Sequence, residues 1–385
     1  MNINIQKMAY EAVDAYKSEM LNLWAELVNC DCGSMNKAGV DSVNAKIGSF
    51  LSALGFKTMQ VPFEKAGNML IAEYGDTTKP FVVLTGHMDT VFKNGTAAER
   101  PFTIKDGKAY GPGALDMKGG IVIFLYALKA LLANGYDRYP IKVILAGDEE
   151  VGHRDSNAAE VFEREAKGAL AAFNFETGFL DNGVVVQRKG TWQFSMEVTG
   201  RGAHVGNDPE NGRSAIAEIC RKVIDIEALT DFKAGYNLNV GRIEGGTVPN
   251  AVPEHAKITC DLRFEKAADL LNLQAKLQAI TNKVYIEGTH TTLTSLTNFK
   301  SMDKSEATMA LFNKVNKLAV ENGFAPMTPK FVGGGSDSAY MVAAGVPTLC
   351  AMGVQGARNH TVDEFAVVDS LFTRCKLMIT ILCNL

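Results

Sequence analysis

The side chains in this chain that could do chemistry stand where short apolar runs end. The run 81–86 ends in His87, with Asp89 two positions on. The run 141–147 ends in Asp148, Glu149 and Glu150, and the run 169–175 ends in Glu176. The apolar run 347–352 is followed by a glycine-containing loop and then His360. Imidazoles and carboxylates together form a ligand set for zinc or a similar divalent ion. One more acid, Asp116, lies in the glycine-rich stretch 110–120, and a carboxylate can bridge two cations about 3.5–4 Å apart. Glu149 and Glu150 side by side at a strand end are costly unless cations compensate them.

The elements around these residues explain why distant acids should meet. Apolar runs at 69–74, 81–85, 141–146, 169–175 and 347–352 alternate with helical patterns at 118–134, 157–166 and 305–322, and a further helical stretch runs over 9–54, broken near Cys32-Gly33-Ser34. Short apolar strands between helices predict a mostly parallel sheet with helices on both faces. Ligands of such sheets bind beyond the carboxyl ends of the strands. The middle third differs: Trp192, Phe194, Met196 and Val198 alternate with polar residues, as do Ile258, Cys260, Leu262 and Phe264. Period-two alternation predicts strands with one wet face, and helical patterns at 213–229 and 267–285 accompany them. The expectation is an α/β domain, 1–188 with 299–385, carrying an inserted smaller α+β domain at 189–298.

Composition narrows the function classes. The 385 residues are enough for one large and one small domain, and a net charge of −4 gives no reason to expect nucleic acid or an anionic membrane as partner. The 7 cysteines are scattered and odd in number, which suits reduced thiols in a cytoplasmic protein. The segment 121–133 is shorter than the roughly 20 residues a bilayer requires, and it carries Lys129. The first sixteen residues lack the pattern of a secretory signal.

Seven motifs then occur in one order: Gly86-His87-Met88-Asp89, the turn 111–120, Asp148-Glu149-Glu150, Phe175-Glu176, Gly202-Ala203-His204, Asp261-Leu262-Arg263 and Gly333-Gly334-Gly335-Ser336-Asp337. In this order the chain resembles the M20 metallopeptidase family, and within it the glutamate carboxypeptidases. The resemblance implies two zinc ions per subunit, with cobalt or manganese as substitutes. His87 and Glu176 would hold one ion, Glu150 and His360 the other, and Asp116 would bridge them. Asp89 would orient His87, and Glu149 would remain off the metals as general base. His204 would stabilise the oxyanion, in related dimers across a subunit boundary, which implies a homodimer built through the inserted lid domain. Arg263, Asn250 and the backbone at Gly335 would receive the free carboxylate of a peptide or N-acyl amino acid. The resemblance further implies a cis peptide between Asp116 and Met117.

Other readings stand beside these. A deacylase, desuccinylase or dipeptidase would share the metal set, and a metal-bound binding module without turnover would need no Glu149. Arg263 has an ordinary salt-bridge partner in Asp261 or Glu244, and Asn250 suits a turn on its own. The triple glycine 333–335 lacks the lysine of a phosphate loop. His153, three positions after Glu150, imitates a ligand, but the family has none there; it is expected behind the ligands or exposed. The stretches 153–158 and 355–359 depart from the family pattern.

Overall fold

The computed structural model describes residues 2–385. Its chain divides into two compact units: 1–187 with 304–331 and 336–385, and 188–303 with 332–335. Each is described by itself.

The first unit is built on a six-stranded sheet. Val82–His87 lies parallel between Ile141–Gly147 and Ala171–Asn174, and Thr348–Leu349 adds in parallel beyond the latter. Gly67–Tyr74 and then Lys57–Val61 continue the other side antiparallel. Every residue of Val82–His87 and Ile141–Gly147 is buried, so both faces of these strands are covered, as their unbroken apolar runs predict. The register decides where the acids go. His87 pairs with Ala146 and Thr85 pairs with Asn174. The chain segments beginning at Asp148 and at Glu176 therefore leave the sheet at the same edge as His87.

Helices pack around this sheet. Gly119–Ala133 is apolar on nearly all sides and lies against Asn2–Val28 and Val368–Asn384, in a core that includes Trp24, Phe124, Phe173 and Leu377. The N-terminal helix begins at Asn2, earlier than the apolar periodicity indicates. Its break comes where expected, and Lys37–Ala53 restarts with Asn36 as cap, the side chain accepting the Gly39 amide at 3.1 Å. The strand read at 169–175 is shorter, Ala171–Asn174, and the one at 347–352 is only Thr348–Leu349.

The second unit has a four-stranded antiparallel sheet, ordered Tyr236–Gly245, His255–Phe264, Gly190–Thr199, His290–Phe299. The strand His255–Phe264 alternates strictly between buried and half-buried positions over 256–264, and its inward residues join Phe194, Met196 and Val198 beneath helices Ala215–Glu227 and Ala267–Asn282. The last helix stops at Asn282, three residues short of the predicted end. At its end a fully buried Lys222 donates to the carbonyls of Ile280 and Thr281 and pairs with Glu218.

One close approach positions the site. A Cβ on Gly120 would stand 2.0 Å from the Phe175 carbonyl oxygen, so the start of helix Gly119–Ala133 sits directly on the strand end that carries Glu176. Gly120→Ala should therefore cost about 1–3 kcal/mol of unfolding free energy by forced displacement of this helix. Urea denaturation checks it, and an unchanged midpoint would contradict the close packing.

Candidate metal centre

His87, Asp116, Glu149, Glu150 and Glu176 come from four separate chain segments and gather in one buried space of the first unit. Donor atoms of His87, Glu149 and Glu176 lie within 4.8 Å of one another, and so do those of His87, Asp116 and Glu150. Asp116 is central. Its Oδ1 is 3.3 Å from His87 Nε2, and its Oδ2 is 3.2 Å from His360 Nε2. Glu150 Oε2 stands 3.1 Å from His360 Nε2, and Glu176 Oε1 is 3.9 Å from His87 Nε2. The two oxygens of one carboxylate thus face two different imidazoles, each accompanied by a glutamate of its own.

Local structure explains each placement. The Asp116–Met117 peptide is cis, at the position expected. Trp24 Nε1 donates to the Ala114 carbonyl at 3.0 Å and ties this turn to the core. Gly86 leaves room for Met117, whose terminal methyl a Cβ would meet at 2.1 Å. Asp89 is fully buried and serves two sides. Its backbone carbonyl and carboxylate stand 3.1 and 3.3 Å from His87 Nδ1, which directs the other ring nitrogen toward Asp116. Its carboxylate also accepts the amides of Glu149 and Glu150, each at 3.1 Å, and the Ser34 hydroxyl at 2.6 Å.

The charge balance shows what the space would hold. Burial pushes the Glu149 carboxyl well up; among its neighbours the His87 imidazole opposes this, while Glu176, Asp337 and Glu150 add to it. Burial and the nearby Asp116 push Glu150 up to about 7. Hydrogen bonds to Asp116 and Glu150 push His360 up to about 11. Against burial, the hydrogen bonds of His360 and His87 hold Asp116 well below the carboxylate range. Glu150 Oε1 is buried without a hydrogen-bond partner. A crowd of buried acids with an orphaned oxygen is a poor environment for protein alone and a good one for divalent cations. The donor set, two imidazoles and carboxylates, fits zinc. A groove of about 620 Å³ opens beside Glu150, with Ser34, Met35, Asn36, Val91 and Lys93 in its wall.

The remaining expected site residues belong to the second unit. Arg263 makes a bidentate pair with Asp261 (2.6 and 3.0 Å) and donates to the Gly333 carbonyl at 3.1 Å. This is the ordinary partner the sequence offered it. His204 is exposed, pairs in register with Ala251 and accepts the Gly206 amide on Nδ1 at 3.1 Å. Asn250 is exposed, and its carbonyl accepts the Val205 amide. The Gly335 carbonyl accepts from Arg188 at 3.2 Å. His153 is not exposed: it is 6% accessible and stands between Asp148 and Asp337.

Three residues near the centre escaped sequence reasoning. Glu364 is buried and accepts the amides of Leu115 and Asp116 at 2.9 and 3.4 Å; burial pushes it up to about 8. Asn359 Nδ2 donates to Asp116 Oδ2 at 3.1 Å. Lys118 is buried and donates to the carbonyls of Cys30 and Pro112. Glu364 follows His360 by four positions, a spacing visible in the sequence but without meaning until the loop is folded.

Residues 83–384 match the pattern described as "Peptidase family M20/M25/M40". The chain belongs to this family. It is a metal-dependent hydrolase with the mixed α/β fold of the zinc exopeptidases. Among relatives, carboxypeptidase G2 of Pseudomonas sp. (strain RS-16) is 25% identical over 378 residues, covering 96% of this chain and 91% of that one. Succinyl-diaminopimelate desuccinylase of Parvibaculum lavamentivorans is 26% identical over 385 residues, covering 94% of each. Two solved structures share the fold. Aminopeptidase PepT from Bacillus cereus has a TM-score of 0.77 at 22% identity, over 96% of this chain and 98% of that one. An M20 family metallo-carboxypeptidase from Sulfolobus solfataricus has 0.73 at 16%, over 95% and 99%. No helix among the described residues is long and apolar enough to cross a membrane.

Zinc supplied at about 100 times its dissociation constant should add about 2.7 kcal/mol of stability to metal-stripped protein. Thermal unfolding with and without zinc reads this, and Asp116→Asn should lose most of the rise. A midpoint indifferent to zinc in the unsubstituted chain would contradict the fit.

Proposed function

We propose that this M20 hydrolase is a co-catalytic two-metal exopeptidase that cuts an amide bond beside a free carboxylate, a glutamate-type carboxypeptidase. The observation that supports it best is the Asp116 carboxylate turned toward His87 with one oxygen and toward His360 with the other. On this reading His87 and Glu176 would hold one zinc, Glu150 and His360 would hold the other, and Asp116 would serve both. Two zinc ions bring four positive charges, which Asp116, Glu150 and Glu176 leave incompletely neutralised. Bound there, the pair supplies a water acidified toward a pKa of roughly 7 and a Lewis acid for the carbonyl.

The residues of the chain do the rest. Glu149 is kept from ligation by the same charge count, since a fourth carboxylate would neutralise the site and remove its base. It stands close to His87 and Glu176, takes a proton from the attacking water and returns it to the leaving nitrogen. Asp89 holds His87 in one orientation and the Glu149 amide in place. His204 stabilises the developing oxyanion. Arg263, with Asn250 and Gly335, receives the substrate carboxylate through the guanidinium donors that Asp261 and Gly333 leave. The first unit is then the catalytic domain, and the second a lid through which two copies dimerise. The 7 free cysteines suit a reducing, cytoplasmic setting.

A desuccinylase is the second reading. It shares the metal set, and a relative of that name is 26% identical to this chain, beside 25% for the carboxypeptidase. A binding module without turnover is disfavoured by the intact Glu149.

Zinc-loaded protein tested against peptides ending in glutamate and against N-succinyl and N-acetyl amino acids decides among these. Cleavage of C-terminal glutamate is expected, with Glu149→Gln keeping its metal and losing about 10²–10⁴-fold in kcat. Cleavage of the N-succinyl compounds alone would select the second reading. No cleavage of any of these compounds by metal-loaded protein would contradict both readings.

A further inference from the structure

The turn that carries Glu149 and Glu150 is secured from two directions. On one side Asp89 accepts the amides of both glutamates. On the other side the turn closes on His153. The His153 amide donates to the Asp148 carbonyl at 3.1 Å, and the Gly152 amide donates to the Glu149 carbonyl at 2.8 Å. Gly152 and His153 both adopt left-handed backbone, with φ of 68° and 54°. This conformation is uncommon for a residue with a side chain, and it turns the His153 ring back beneath the turn.

There the ring meets two acids. Nδ1 lies 2.8 Å from Asp148 Oδ1, and Nε2 lies 2.6 Å from Asp337 Oδ1. Both carboxylates are 1% exposed. The ring is flanked by Phe162 and Tyr340, with centroids 6.0 and 5.6 Å away. A hydrogen lies between each ring nitrogen and the acid it faces, so the ring ties two buried acids together. Asp148 precedes the glutamates, and Asp337 begins the helix Ser338–Ala343. One side chain therefore joins the glutamate turn to an element almost two hundred residues further along the chain.

We propose that His153 is a positioning residue for the metal centre: by clamping Asp148 to Asp337 it sets where the Glu150 carboxylate stands, without touching the metals or the substrate. The inference rests on the two-metal reading above. Glu150 serves only one of the two ions on that reading, so loss of the clamp should damage one ion's binding and spare the other. A merely structural histidine would not discriminate between them.

The test is a Co²⁺ titration of metal-stripped full-length chain, followed by visible absorption, with thermal unfolding of the same samples. The unsubstituted chain should take two equivalents. In His153→Gln one equivalent should bind about 10- to 100-fold more weakly and the other unchanged. Should His153→Gln not fold, Asp337→Asn cuts the same clamp from its other end with a side chain of nearly the same shape and must show the same selective loss. Two equivalents bound with unaltered affinity would overturn the proposal. So would a uniform weakening of both that follows a lowered unfolding midpoint. Failure of the unsubstituted chain to bind two equivalents would instead remove the two-metal reading beneath it.

Discussion

Asp116, Glu149, Glu150 and Glu176 stand around His87 in two overlapping groups, each with donor atoms within 4.8 Å of one another, and their side chains are largely withdrawn from water. Taking a charge out of water costs several kcal/mol per ion unless something opposite repays it. His87 and His360 could return one positive charge each, too little for four carboxylates. Either protons or cations must make up the difference, and the upward displacement of Glu149 and Glu150 expresses the same deficit. Divalent ions meet it without protonating the acids.

Such a concentration of like charge persists only if the scaffold is stiff enough to enforce it. Three parallel strands, buried on both faces, end in register and deliver His87, the 148–150 turn and Glu176 to one edge. The apolar helix Gly119–Ala133 is seated against Phe175 through Gly120, and Trp24 and Glu364 fasten the turn that presents Asp116. The core thus removes freedom from side chains that would otherwise separate. The weaker-held member is His360, half exposed on a loop in left-handed backbone. Its place depends on Asp116 and Glu150 rather than on a strand.

Much of the centre was legible because strand ends can be found from hydrophobic runs alone. His87, Asp148 to Glu150 and Glu176 follow three such runs directly, and the sheet order then makes their convergence a matter of geometry. Asp116 and His360 lie in loops, where periodicity is silent; Asp116 showed through its glycine-rich turn and His360 through its place after the run 347–352. The contacts of Glu364 with Asp116, and of His153 with Asp337, join residues more than 180 positions apart. Nothing local in the sequence announces such a pair, since each member alone is an ordinary loop residue. Arg263 shows the converse: its nearest partner, Asp261, was visible two positions away, and a guanidinium on the polar side of a strand leaves its use undetermined.

Crystals of zinc-loaded protein, measured for anomalous scattering at the zinc edge, would test the central claim most directly. Two peaks are predicted about 3.5–4 Å apart, one against His87 and Glu176, the other against Glu150 and His360, with the Asp116 carboxylate between them. An absence of peaks among these five side chains in fully zinc-loaded protein would contradict it.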